Sequence, residues 1–366
     1  MIYKKTPNGY ILITTLLIVS LAITIGTYIF NRGSIFLPFS NAIIHREQAK
    51  QLVEGALQKI TAQLAEIPQK KESENNNEAP EDKKKSSDKL FILREEFLRI
   101  LSLLNQLQIF KLTQESDGIE AEIKMCLASQ QGKININSIY DFENKKFIQK
   151  QKGSADWKAI LQELCKRIET KTNSKNLFAA FEKILQAREY PFDDVTELLA
   201  NTSFAQAFSN NIFYMPRPKE PNTVSIQAAL YLTDIFTISD DQENINPFLL
   251  SHSIAQLLEL TDAHQQDPQK RNELIQNIAK NMKEKFNWNK DWKTFLQPLY
   301  QKELNAVNTL FIPLFTKDFA PNSFCVTIEA TVQQVTQRAF AIIKRKERAD
   351  IGQMVYDIVI EQFYWI

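Results

Sequence analysis

Acidic residues gather at two places in the second half of the chain: Asp193 and Asp194 with Glu197, and Asp240 and Asp241 with Glu243. Neighbouring carboxylates are what acid–base catalysis and calcium coordination both require. The first group has a simpler account, because Asp194 and Glu197 stand at capping-box spacing before apolar residues. The second group, Asp240, Asp241 and Glu243, offers oxygen donors to a candidate calcium site, and a loop of Asx turns uses the same side chains without any ion. The three histidines, His45, His252 and His264, and the three cysteines, Cys126, Cys165 and Cys325, are too scattered for paired zinc or redox motifs. His252 falls within the apolar pattern of 247–260, as a surface or satisfied core imidazole does. The odd cysteine count allows one disulfide at most, or three buried thiols, and spacing leaves both open. No nucleophile, base and orienting group assemble from spacing alone, so the sequence reads as non-enzymatic.

Composition narrows the classes further. The chain has 366 residues, 44% hydrophobic and 24% charged, with a formal charge of +1. Such a balance provides no long-range field for phosphate backbones, which argues against nucleic acid. Only 8 glycines occur, none in a G-x-G-x-x-G or G-x-x-x-x-G-K pattern, so nucleotide loops are not expected.

The strongest local signal is apolar. No charged residue lies between Lys5 and Arg32, and Tyr10 to Phe30 is built almost wholly of apolar residues, Thr and Ser. At about 1.5 Å per residue a helix of this length covers roughly 30 Å, the thickness of bilayer hydrocarbon. Hydroxyls such as Thr14, Thr15 and Ser20 can bond back to helix carbonyls. Lys4 and Lys5 precede the run, which places the short N-terminus in the cytoplasm and the body outside. A cleaved secretory signal would need small residues after the run, and Asn31 to Pro38 has no A-x-A-like pair. An uncleaved signal anchor is the plain reading, and a cut after Gly9, directly before the apolar run and after a short basic leader, would leave the membrane helix on the mature chain.

Beyond the membrane segment, Leu52, Ala56, Ile60, Leu64 and Ile67 repeat with helical period, and Pro38 is expected to kink or interrupt the helix. Residues 68–89 are polar and read as a flexible linker. A helix is predicted from about Leu90 to Leu112, then a half-buried strand over Ile119 to Leu127. Gly132-Lys133-Ile134-Asn135-Ile136-Asn137 follows, with Gly132 suited to a positive-φ turn and the two asparagines to tying loop backbone together. Helical segments are predicted near 156–170, 175–188, 194–207, 224–236, 247–260 and 269–284, with Asn246 capping a helix that has Pro247 at its first position. Strands return at Ser323 to Ala330, Arg338 to Lys344 and Tyr356 to Tyr364.

The basic leader ending in Gly9 resembles a type IV prepilin leader. The start Ile11 to Val19 resembles that of one subfamily, general secretion pathway protein K, the large minor pseudopilin of type II secretion. That subfamily lacks the glutamate most pilins carry at the fifth mature position, and Thr14 stands there. Gly132 to Ser138 is similar to the family's G-[KR]-I-N-[IL]-N segment, Tyr190 to Leu199 to its P-F-x-S-x-x-E-L landmark with an aspartate for serine, and Ser323 onward to its last hairpin. Ile245-Asn246 matches a third motif only in its first two residues.

The resemblance implies an α+β fold: an N-terminal transmembrane and stem helix, then a pilin-like antiparallel sheet interrupted by a large inserted all-α domain. It divides the chain into a leader (1–9), transmembrane helix (10–30), stem continuation (31–67), linker (68–89), first core part (90–139), insert (140–315) and second core part (316–366). It implies cleavage after Gly9 with N-methylation of Tyr10 by a prepilin peptidase. The partners it implies are the minor pseudopilins of the I and J types and the major pseudopilin. The location would be the bacterial inner membrane, single-pass, with the body in the periplasm. Calcium binding in the helical domain belongs to the same expectation, and no other cofactor is implied. A head approaching 270 residues has a radius of gyration near 18 Å, which suits the end of a fibre better than its shaft. A signal-anchored envelope scaffold, or a minor pilin of a related pilus or competence machine, is the alternative.

Overall fold

The computed structural model describes residues 8–66, 81–148, 156–216, 229–239, 244–260, 268–350 and 353–366. Helix α1 (Asn8–Ala65) and α2 (Glu81–Leu103) lead into β1 (Leu107–Leu112), a short α3 (Gln114–Asp117) and β2 (Ala121–Ser129). Three two-residue strands follow, β3 (Ile134–Asn135), β4 (Tyr140–Asp141) and β5 (Lys146–Phe147). Helices α4 (Trp157–Thr172), α5 (Leu177–Ala187), α6 (Thr202–Phe208) and α7 (Leu232–Ile235) come next, then β6 (Phe236–Thr237). Helices α8 (His252–Leu257), α9 (Pro268–Lys280), α10 (Trp288–Phe295) and α11 (Gln297–Tyr300) complete the helical part. The chain closes with β7 (Ser323–Val332), β8 (Val335–Asp350) and β9 (Gln353–Trp365).

The main sheet has the order β1-β2-β7-β8-β9, and every neighbouring pair is antiparallel. Its two middle partners, β2 and β7, are far apart in sequence. Ser129 at the end of β2 lies opposite Phe324 at the start of β7, so the chain leaves the sheet and returns at one point. An insertion whose ends already meet adds little closure entropy, whatever its length. The insertion is helical, apart from the small β3–β6 and β4–β5 pairings among the described residues. The architecture is therefore the α+β arrangement expected: a long N-terminal helix, an antiparallel sheet and a helical insert.

Alternation along the strands sorts the two faces. Ala121, Ile123, Met125 and Leu127 on β2, with Phe324, Val326, Ile328 and Ala330 on β7, join the main core. Ala128, Cys325, Phe340 and Ile342 point the other way and form a smaller cluster under Phe213 and Tyr364.

Several boundaries differ from expectation. Helix α2 begins at Glu81, inside the segment read as linker, because glutamate and lysine have high helix propensity and extend a helix whose later turns are anchored. It ends at Leu103 rather than Leu112, where Asn105 turns left-handed (φ 55°) and donates its N–H to Leu127 O at 2.6 Å. Asparagine tolerates that conformation, and the next residues pair as β1. The buried Arg271 donates to the carbonyl of Leu104 at 3.1 Å, satisfying backbone at the exit of α2. Pro38 does not interrupt α1, which carries through it. One missing hydrogen bond is local, and the turns on both sides hold. Asn246 does not cap a helix: its side chain accepts from Phe248 N at 3.1 Å in a turn, and α8 starts later with Ser251 as cap.

Gly132 is needed for a different reason than expected. A Cβ there would lie 1.7 Å from Leu249 O, so close backbone approach, not positive φ, excludes a side chain. Gly132→Ala should lower stability by about 3 kcal/mol through this overpacking, as read from urea denaturation. Unchanged stability would mean that Leu249 yields freely.

Candidate functional site

The site is the α1 helix and the surface that carries it. From Ala49 onward α1 lies across the sheet, touching β2, β7, β8 and β9. Ala49, Val53, Ala56, Leu57, Ile60 and Leu64 are buried there, at spacings of three and four that keep them on one face. Arg99 on α2 donates to Gln63 O at 2.9 Å and joins the two helices. The earlier part of α1 touches none of this core. Its most apolar window has a mean hydropathy of 2.1 and no buried residue, and Ile18, Ile23 and Ile29 are each more than half exposed. Thr24 donates to Ser20 O at 2.8 Å and Thr27 to Ile23 O at 2.7 Å, so helix carbonyls absorb these two hydroxyls. One helix thus has two apolar surfaces, one used by the head and one left for a non-aqueous surrounding.

The predicted residues fall as follows. Gly9 and Tyr10 lie in the first turn of α1, and Thr14 lies about one turn further on. Residues 1–7, most of the leader, are outside the described residues, as are Asp240, Asp241, Glu243 and His264. Among the described residues no group of three His, Cys, Asp or Glu side chains is placed to hold a metal. His252 is buried at the start of α8, its ring stacked on Tyr214 with centroids 4.9 Å apart. The three cysteines are free and buried, and burial pushes the Cys165 thiol up to about 12.

The first acidic group is a structural cap. The Glu197 carboxylate accepts from the Asp193 and Asp194 N–H groups at 2.9 Å each, and from Arg188 at 2.6 Å. Asp194 accepts from Thr196 N and completes the capping box. Burial works to raise the Glu197 pKa, but these donors outweigh it and hold the carboxyl below its ordinary 4.5. A pKa lowered by folding gives stability that is present above 4.5 and is lost as pH falls through the folded value. Glu197→Gln should therefore melt below wild type at neutral pH, and the two melting curves should converge on acidification. A gap that stays constant with pH would contradict this.

The asparagines of the Gly132 segment do tie loops together. Asn137 donates to Phe192 O and accepts from Phe192 N, both at 2.9 Å, and Asn135 donates to Ser239 O. Sequence reasoning overlooked the residue between them and the glycine. Lys133 is 1% exposed and reaches behind the sheet to Thr233 O at 2.7 Å and to Cys325 Sγ at 3.0 Å. Lys133 stands between Gly132 and the two-residue strand β3, and nothing in its sequence position marks it as buried.

No family model matches the chain, and no curated protein matches it. Among solved structures it is similar to the GspK-GspI-GspJ complex of the type 2 secretion system from enterotoxigenic Escherichia coli. The identity is 12% and the TM-score 0.36, over 78% of this chain and 98% of that one. The helix-on-sheet geometry stands independently of that weak likeness.

Proposed function

We propose that this chain is a minor pseudopilin that sits at the tip of a type II secretion pseudopilus and starts its assembly. The observation that supports the reading is the division of α1 into an exposed apolar half and a half held across an antiparallel sheet. In a bilayer the exposed half is satisfied by lipid; withdrawn from it, the same surface must be covered by other apolar stems. Removal of residues 1–9 would free the helix for that transfer, with a prepilin peptidase cutting after Gly9 and methylating Tyr10. A carboxylate in mid-bilayer costs on the order of 3 kcal/mol and persists where a partner charge meets it. Thr14 needs no such partner, which fits a first subunit with no neighbour above it.

The insertion, which leaves the sheet after Ser129 and returns at Ser323 where 140–315 was expected, supports the terminal position. It adds bulk beside the sheet that repeating neighbours in a shaft would have to avoid. The I- and J-type minor pseudopilins and the major pseudopilin are then the partners below. The body lies in the periplasm, and the work is mechanical: growth of the fibre pushes folded cargo outward. Asp240, Asp241 and Glu243 stay a candidate calcium site within this reading.

Gold labelling of an epitope on the insert, in fibres grown from overexpressed major pseudopilin, tests the position. One label at fibre ends is expected. Label along the shaft, or none on fibres with the chain left in the membrane as a simple tether, would contradict the proposal.

A further inference from the structure

Behind the sheet, opposite α1, a small buried chamber of about 10 Å³ is lined by Cys126, Cys325, Lys133, Thr233, Asp234 and neighbours. Lys133 Nζ lies 3.0 Å from Cys325 Sγ, and neither side chain is exposed. We propose that Lys133 and Cys325 are an oxidative cross-linking site, joined by a single oxygen atom as an Nζ–O–Sγ bridge when the protein meets peroxide. The inference does not rest on the fibre reading, because it needs only this pair and the oxidant.

The geometry selects this bond over the alternatives. Cys126 faces Thr327 and Cys325 faces Ala128 across the β2–β7 pair, so the two cysteines are diagonal rather than opposite. Diagonal partners on adjacent strands are about 7–8 Å apart, beyond ordinary disulfide reach. The amine is much closer to the Cys325 sulfur, at a gap that one inserted oxygen spans. Burial pushes the Cys126 thiol well up, with Cys325 and Asp234 adding to the effect, so Cys126 stays a thiol. The chamber volume is at the lower limit for a single water, so it has room for the one oxygen atom of the bridge and not for a waiting peroxide molecule. Asp234 Oδ1 is buried in the same chamber without a hydrogen-bond partner, and the lysine enters the second step as its neutral amine, the ammonium proton having gone to solvent.

The step balances with two equivalents of peroxide. The first oxidises the Cys325 thiol to sulfenic acid and releases one water. The second removes two electrons from the amine as one N–H and the sulfenic O–H are replaced by the N–O bond, releasing two waters. The net change is one oxygen gained and two hydrogens lost. Lys133 follows β2 and Cys325 lies near the start of β7, while Thr233 lies on α7, so the bridge staples the base of the insertion to the sheet.

Full-length protein in detergent, treated with hydrogen peroxide, alkylated under denaturing conditions and digested with a glutamate-specific protease, tests this. Mass spectrometry should find a peptide joining Lys133 to Cys325 with the net mass change above, and dithiothreitol should return both linear peptides. Lys133→Arg keeps a buried cation and should abolish the bridge. Cys126→Ala should leave it intact, and this second variant serves where Lys133→Arg does not fold. Oxidised protein in which Cys325 is a thiol, a sulfinic or sulfonic acid, or a disulfide partner of Cys126 would overturn the proposal.

Discussion

Glu96→Ala is expected to destabilise the head by about 3–5 kcal/mol. Glu96 Oε1 meets Arg345 at 2.6 Å, with the arginine side chain fully buried and the glutamate nearly so. The guanidinium also lies over the Tyr356 ring at 3.8 Å and donates to Pro321 O at 3.1 Å. Removing the carboxylate leaves that cation in a low-dielectric site with no counter-charge. Arg99 makes matters worse: burial, and then Arg345, already pull its guanidinium below the ordinary value, while Glu96 opposes them. The buried Arg345 and the half-buried Arg99 would then repel each other. Guanidinium chloride unfolding measures the loss. Replacing both partners together, Glu96→Leu with Arg345→Met, should come close to wild type, because paired removal leaves no orphan charge. Equal losses in the single and double variants would show that the packing, not the ion pair, carries the effect.

Val53→Asp is expected to release the stem from the sheet. Val53 is completely buried on the face of α1 that crosses the strands, and an aspartate there is an unpaired charge in a dry interface. The loss should be on the order of 4–5 kcal/mol, a large fraction of the stability of a typical domain. Leu17→Asp makes the contrast, since Leu17 is 63% exposed in the first half of the same helix. It should leave the melting temperature of detergent-purified protein unchanged. Its effect should fall on membrane insertion, by about 2.5–3.5 kcal/mol, visible as a larger soluble fraction after alkaline extraction. If Leu17→Asp lowered the melting temperature as much as Val53→Asp, the two halves of α1 would not have separate roles.

Elements with strong periodicity were readable in advance. The alternation of Ala121, Ile123, Met125 and Leu127 located β2, and Ser323 onward located β7 and β8, because a half-buried strand leaves a period of two in any sequence. The capping box at Asp194 and Glu197 is likewise a short-range device. What escaped reading depends on partners distant in the chain. Leu107–Leu112 continues the apolar pattern of α2, and only its pairing with β2 makes it a strand. Gly132 could not reveal Leu249 as its neighbour, and Lys133 could not reveal Cys325, almost two hundred residues away. The site was more visible than its supports. An uncharged apolar run announces itself locally, whereas the sheet face that receives its second half is assembled from both ends of the chain.

N-terminal mass spectrometry of the full chain, coexpressed with an active prepilin peptidase and compared with a Gly9→Trp variant, tests most directly whether α1 is a stem made for polymerisation. The account predicts a mature chain that begins at N-methylated Tyr10, and no processing in the variant. An intact Met1 terminus in the presence of the active enzyme would contradict it.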